Sequence, residues 1–172
     1  MSEPTDTITI RVPKHLKENL EDICKKNQVN LNLLINQILS KNIQWDKHIT
    51  NMGWLQLHPS VVKEVFAFLN ETQILELAES IKKDIINGIR FIYQDTSLQH
   101  TVEFIETWLI STNTQFRYTK EKESHKFLVN HKLGENWSIF ASKITEKFVL
   151  KLGYKFTDSN TTPDSYSFTI SQ

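Results

Sequence analysis

The chain has a single cysteine, Cys24, among its 172 residues. No internal disulfide framework can form, and a lone thiol beside an apolar helical stripe is expected to be packed in a reducing compartment. Glycine is nearly as scarce. The four present, Gly53, Gly88, Gly134 and Gly153, are scattered, so there is no phosphate-cradling loop of the Walker or dinucleotide type. No serine elbow and no metalloprotease helix motif occurs either, so the expectation is a binding protein rather than an enzyme, with no cofactor and no metal called for. No stretch approaches the eighteen or more apolar residues of a membrane span, and the opening Met-Ser-Glu-Pro-Thr-Asp is polar. A cytoplasmic location without a membrane partner is expected. Charge of one sign is also missing: 20 basic residues balance 20 acidic ones. Attraction to a polyanion must therefore come from a local surface.

What is present begins at Thr7. In Thr7-Ile8-Thr9-Ile10-Arg11-Val12 the apolar residues alternate with polar ones, the period-two signature of a strand with Ile8, Ile10 and Val12 on one face and Thr7, Thr9 and Arg11 on the other. Pro13 ends the strand and suits a helix start, where its missing N–H costs nothing. From Lys14, Leu16, Leu20 and Ile23, with Cys24 beside them, recur at helical spacing until Asn27 and Gln28 close the helix. Asn30 is placed to cap a second helix carrying Leu31, Leu34, Ile35, Ile38, Leu39 and Ile43. One strand and two short helices leave unpaired backbone groups and too small a core to fold alone. The simplest remedy is a two-fold dimer in which the strand pairs antiparallel with its own copy.

This succession, an alternating strand ending in Arg11-Val12-Pro13, the Leu16/Leu20/Ile23 stripe and the Asn30 cap before a Leu/Ile-rich helix, resembles the ribbon-helix-helix family of DNA-binding proteins. The likeness covers about a quarter of the chain. It departs from the common pattern at Asn27-Gln28, where many relatives carry glycine; Asn tolerates the left-handed conformation the turn requires. The resemblance implies a homodimer on double-stranded DNA, assembling further on it in some cases, with Thr7, Thr9 and Arg11 reading bases in the major groove. It further implies that Asn30 and Leu31, at the start of the second helix, hold a backbone phosphate, with Lys14 nearby. The chemistry agrees independently. A two-stranded ribbon fits the major groove, Arg chelates the guanine edge, and Thr offers a hydroxyl and a methyl. Helix N-termini bind phosphate through their orphan N–H groups. Arg11, Lys14, Lys17, Lys25, Lys26 and Lys41 supply a local positive surface, diluted by Glu18, Glu21 and Asp22.

The expected organisation is a head over residues 1–45, a joint over 46–58 and a further domain over 59–172. Trp45 and Trp54 point to a packed joint rather than a solvated linker. Pro59 sits where a helix starts, and Asn70-Glu-Thr-Gln73 has the form of a capping box opening a longer helix through Ile74, Ala78, Ile81, Ile85 and Ile89. A third helix is expected from about Ser97 to Ile110. Beyond Asn113 the pattern predicts a hairpin of 115–119 and 125–131, a helix opened near Asn136 and stopped by Gly153, and a second hairpin of 154–157 and 165–170 across the turn 158–164. The fold class is α+β: a ribbon-helix-helix head, a helical segment, and a four-stranded antiparallel sheet with a covering helix.

Candidate chemistry in the second domain is thin. His125 and His131, six apart on one expected strand, lie on one face but about 20 Å apart, too far to share a metal. With His100 and a partner chain an interchain metal site is imaginable, but the bland alternative is two structural histidines. The aromatics Phe116, Tyr118, Phe127, Trp137, Phe140, Phe148, Tyr154, Phe156, Tyr166 and Phe168 line either a ligand pocket or, more simply, the core. Glu103 and Glu106, three apart, suit a solvated helical face. The expected function is a sequence-specific, homodimeric transcriptional regulator, with a repressor the nearest type and with the second domain taking a small molecule or a protein partner. The alternatives are an antitoxin-type autorepressor, or a ligand-binding module that uses the head only to dimerise.

Overall fold

A computed structural model of the chain describes residues 5–49 and 51–172. It divides into two compact units, Met1–Ile43 and Gln44–Gln172.

In the first unit, helix α1 (Lys14–Asn27) begins directly after Pro13, whose carbonyl accepts from Leu16 and Lys17 at 3.1 Å each. The turn that follows is closed by the backbone amide of Val29 on the Cys24 carbonyl at 3.0 Å. The left-handed residue there is Gln28, at φ 56°, not the Asn27 that the sequence favoured. Hydrogen bonding two residues past the helix end fixes which residue must turn, and it overrides the residue-type preference. Helix α2 (Leu31–Lys41) is capped by Asn30, whose Oδ1 accepts from the Leu33 amide at 2.8 Å. Residues 7–12 form no strand within the single chain. Among the described residues of this unit only Cys24 and Leu34 are buried.

A π-helical turn, Asn42–Asp46, runs from the last residues of the first unit into the second and on into the short α3 (Lys47–Ile49). Trp45 is 3% exposed and packs edge-on against Trp54, ring centroids 5.5 Å apart, and against Phe104 at 5.8 Å. Residues expected to form a joint are thus part of this unit's core. Helix α4 (Pro59–Ala67) is capped by the His58 ring, and α5 (Glu71–Tyr93) opens on the expected capping box. Asn70 Oδ1 accepts from the Gln73 amide at 3.0 Å, and Gln73 Oε1 accepts from the Asn70 amide at 2.9 Å. Gly88 lies under Met52: a Cβ there would stand 2.8 Å from the Met52 Cε and 3.8 Å from the Phe104 ring. Helix α6 (Leu98–Ser111) starts at a Ser97 cap.

Strands β1 (Gln115–Glu121), β2 (Ser124–Asn130), β3 (Lys155–Thr162) and β4 (Ser165–Ser171) make one antiparallel sheet in the order β1-β2-β4-β3. Helix α7 (Glu135–Lys151) connects the two hairpins and packs on the sheet and on α5. The second hairpin is longer than expected. Residues 158–162, read as turn because they are uniformly polar, continue β3 through a register shift between Thr157 and Asn160, and only Pro163 and Asp164 remain in the turn. The polarity has a simple cause: by register Asn160 and Thr162 pair with Ser167 and Ser165, on the face away from Tyr166 and Phe168. His131 falls one residue beyond β2, so it is not a strand residue.

Asn136 does not cap α7. The cap position is Gly134, at φ 91°, a conformation that costs an L side chain dearly. Asn136 instead donates through Nδ2 to the carbonyls of Phe66 and Leu69, both at 2.9 Å, closing the C-terminal end of α4 from 67 to 70 residues away. Phe66 is held alongside by Trp137 and Phe140, with ring centroids at 4.8 and 4.9 Å.

Candidate nucleic-acid interface

Thr7, Thr9 and Arg11 are all exposed, as are Ile8 and Ile10, at 79% and 59%. Both faces of the expected strand are therefore bare in one copy of the chain. The exposure continues through the helices: Leu16 and Ile23 on α1, and Leu33, Ile38 and Leu39 on α2, with Ile43 just beyond, are solvent-facing as well. Part of each stripe is covered where α1 and α2 meet, with Cys24 and Leu34 buried and Leu20, Leu31 and Ile35 half-buried, and the rest is exposed.

At the start of α2, the Asn30 side chain is engaged with the Leu33 amide. The first amides of a helix have no carbonyl behind them, so the positions after the cap, beginning with Leu31, present N–H groups suited to an anion. Lys14 is almost fully exposed and stands 3.8 Å from Glu18. Lys17 meets Glu21 at 3.2 Å and Lys25 meets Asp22 at 3.1 Å. The acidic residues that dilute the positive surface are thus partnered along the same helix. Exposed pairs of this kind hold each other by at most about 1 kcal/mol, so a phosphate can compete for these lysines.

The second unit uses its titratable groups structurally. His125 is buried on the inner face of β2, where Nδ1 and the Tyr118 hydroxyl lie 2.8 Å apart; burial, and then the Lys120 charge, holds its pKa below the usual imidazole value. His131 Nδ1 accepts from the Leu133 amide at 2.9 Å, which places the ring proton on Nε2. Nε2 then donates to Ser138 Oγ at 2.8 Å, and that hydroxyl donates onward to the Thr162 carbonyl. A serine beside a histidine suggests a nucleophile and its base, but here the imidazole gives its proton toward the serine and cannot activate it. Burial holds the His131 pKa down to about 4.

His100 belongs elsewhere, bonded through Nδ1 to Asp95 at 2.6 Å and stacked on Tyr93 at 4.7 Å. Among the described residues no group of three or more His, Cys, Asp or Glu side chains is placed to hold a metal ion. Glu103 accepts from Gln99 at 2.7 Å, and Glu106 has its pKa raised by burial and then by the Glu103 charge. The aromatic set forms core rather than pocket: Phe127 stacks on Phe168 at 5.1 Å, and Phe156 on Phe168 at 5.4 Å. A polar, open cleft of about 380 Å³ is lined by Glu71, Ile139, Ser142, Lys143, Ser159, Asn160 and Thr161. Sequence reasoning missed it, because it is made where β3 shifts register and brings Ser159 within 2.8 Å of Ser142. No helix among the described residues is long and apolar enough to cross a membrane. No protein-family model matches the chain, and no curated protein matches it.

Proposed function

We propose that the chain is a homodimeric, sequence-specific DNA-binding regulator whose first unit is a ribbon-helix-helix head. The observation that carries this reading is the exposed alternation of residues 7–12, attached to two helices that leave Leu16, Ile23, Leu33, Ile38 and Leu39 exposed. A second copy answers both needs at once. Antiparallel pairing of residues 7–12 satisfies their backbone groups and buries Ile8, Ile10 and Val12 over the α1 and α2 stripes, leaving Thr7, Thr9 and Arg11 outward on a two-stranded platform. That platform enters the major groove of double-stranded DNA, while Asn30, Leu31 and Lys14 fix the phosphate backbone. The work is binding without turnover, in the cytoplasm, and the second unit reports a small molecule or a protein to the head.

The test is selection of bound sites from random duplex DNA at two salt concentrations. A two-fold or tandem motif is expected, with affinity falling steeply as salt rises. On the selected site, Arg11→Ala is expected to cost about 1–3 kcal/mol and to relax sequence choice, measured by fluorescence anisotropy titration. Equal binding by variant and wild type removes the ribbon from the groove.

A further inference from the structure

The cleft of about 380 Å³ is shared by the first residue of α5, the middle of α7 and the bulged part of β3. The bulge shapes it. Thr157 pairs with Thr169 and Asn160 with Ser167, so Asp158 and Ser159 together stand opposite the single Phe168, with Asp158 at φ 53°. A bulge of this kind re-aims a side chain, and here Ser159 Oγ comes to 2.8 Å from Ser142 Oγ on α7. Thr161, paired with the buried Tyr166, lies on the covered face of the sheet as well. Where that face elsewhere carries Phe127, Phe156 and Phe168, this corner carries hydroxyls. Ser142 is 3% exposed, and only one of the two O–H groups in its pair with Ser159 is used between them. The other is left to donate. Ser138, one turn earlier on α7, is different, because it accepts from His131 and donates to Thr162.

We infer that this cleft binds a free α-amino acid with a short side chain. The inference deepens, and rests on, the reading of the second unit as the part that reports a small molecule. Charge selects the ligand. Glu71 and Lys143 line the same cleft with opposite signs, and the remaining polar groups, from Ser142, Ser159, Asn160 and Thr161, are neutral. Glu71 has no hydrogen-bond or ion-pair partner among the described residues, and Lys143 is 2.8 Å from Glu146 in a partly exposed pair that a ligand carboxylate can replace. A phosphate meets the Glu71 carboxylate, a metal cation meets the Lys143 ammonium, and a neutral polyol answers neither charge. A zwitterion answers both: its carboxylate takes the Lys143 ammonium and the spare hydroxyl proton, and its ammonium takes Glu71. Ile139 is the one apolar residue of the lining, which limits the ligand to a short side chain. The volume falls within the range of small-molecule sites.

The test follows the Ile139 methyl signals of the full-length protein by nuclear magnetic resonance during titration with L-serine and L-alanine. Saturable shifts are expected in about the millimolar range, as suits a ligand of few atoms in an open cleft. Propionate, which lacks the ammonium, ethylamine, which lacks the carboxylate, and inorganic phosphate are each expected to bind about tenfold more weakly or not at all. Glu71→Gln and Lys143→Met, both at positions that leave the core untouched, are expected to weaken amino-acid binding about tenfold. Glu146→Gln, which releases Lys143, is expected to tighten it about threefold. Ile139 signals that neither amino acid moves, propionate or ethylamine binding as well as L-alanine, or full affinity in Glu71→Gln or Lys143→Met overturns the site. If the same protein still selects a two-fold DNA motif, the regulator stands without it. Amino-acid binding that leaves affinity for the selected DNA unchanged supports the site and overturns the reporting role of the second unit.

Discussion

The two units of this chain differ in where their apolar residues end up. The second buries a cluster of twenty hydrophobic residues, running from Trp45 to Ile170, whereas the described residues of the first bury Cys24 and Leu34 and leave Ile8, Ile10, Leu16, Ile23, Leu33, Ile38, Leu39 and Ile43 in water. Both have regular helices. A strong periodic pattern therefore does not by itself produce a core; it specifies a face, and the opposing face comes either from the same chain or from another. The second unit has its core in one copy, whereas on the proposed reading the first is completed by a second copy.

Breaking the self-sufficient half has the largest expected effect. Phe168 is fully buried and stacked between Phe127 and Phe156, so Phe168→Ala is expected to cost the second unit about 3–5 kcal/mol. Denaturant unfolding followed through tryptophan emission reports this loss, since Trp45, Trp54, Trp108 and Trp137 all belong to that unit. The transition is expected to shift equally at all protein concentrations, whereas a transition of the head is expected to move with concentration. Concentration dependence of the Phe168→Ala shift erases the contrast.

A smaller effect sharpens it through pH. His131 is held neutral in the folded state, with a pKa depressed from 6.5 to about 4, so the unfolded chain binds the extra proton between those values. Its contribution is whole above pH 6.5 and is lost as pH falls toward 4. Discounted for its partial exposure, the loss is on the order of 1–2 kcal/mol, and His131→Gln should flatten the stability profile across that window. An unchanged profile separates His131 from the acid sensitivity of the unit.

The smallest effect belongs to the head. Gln28 holds a left-handed backbone that favours glycine, so Gln28→Gly is expected to stabilise the head by about 1 kcal/mol, visible in its thermal midpoint and not in that of the second unit.

Local signals in the sequence were the readable ones. The Asn30 cap, the Asn70/Gln73 box and the 3.6-residue stripes each depend on residues within a turn or two, and the helices lie where those signals place them. The hairpin, helix, hairpin order gave the four-stranded sheet for the same reason. What escaped depends on partners far along the chain. Asn136 has the composition of an N-cap and spends its amide on α4; residues 158–162 look like a loop because their strand faces water on one side and bends at a bulge. The Ser138 hydroxyl joins His131 to Thr162, a relation that no spacing along the chain announces. In the candidate interface Thr7, Thr9 and Arg11 are exposed, but so are Ile8 and Ile10, and the strand that the alternation predicts is not formed within the single chain.

The slot over Gly88 acts as a gauge of side-chain thickness. The Met52 methyl lies 2.8 Å from where a Cβ would stand, and the Phe104 ring 3.8 Å from it. An alanine at 88 asks only that a supple thioether swing aside, but a branched residue also meets the ring, which the neighbouring tryptophans hold in place. A larger side chain at 88 is therefore met first at 52, thirty-six residues away along the chain.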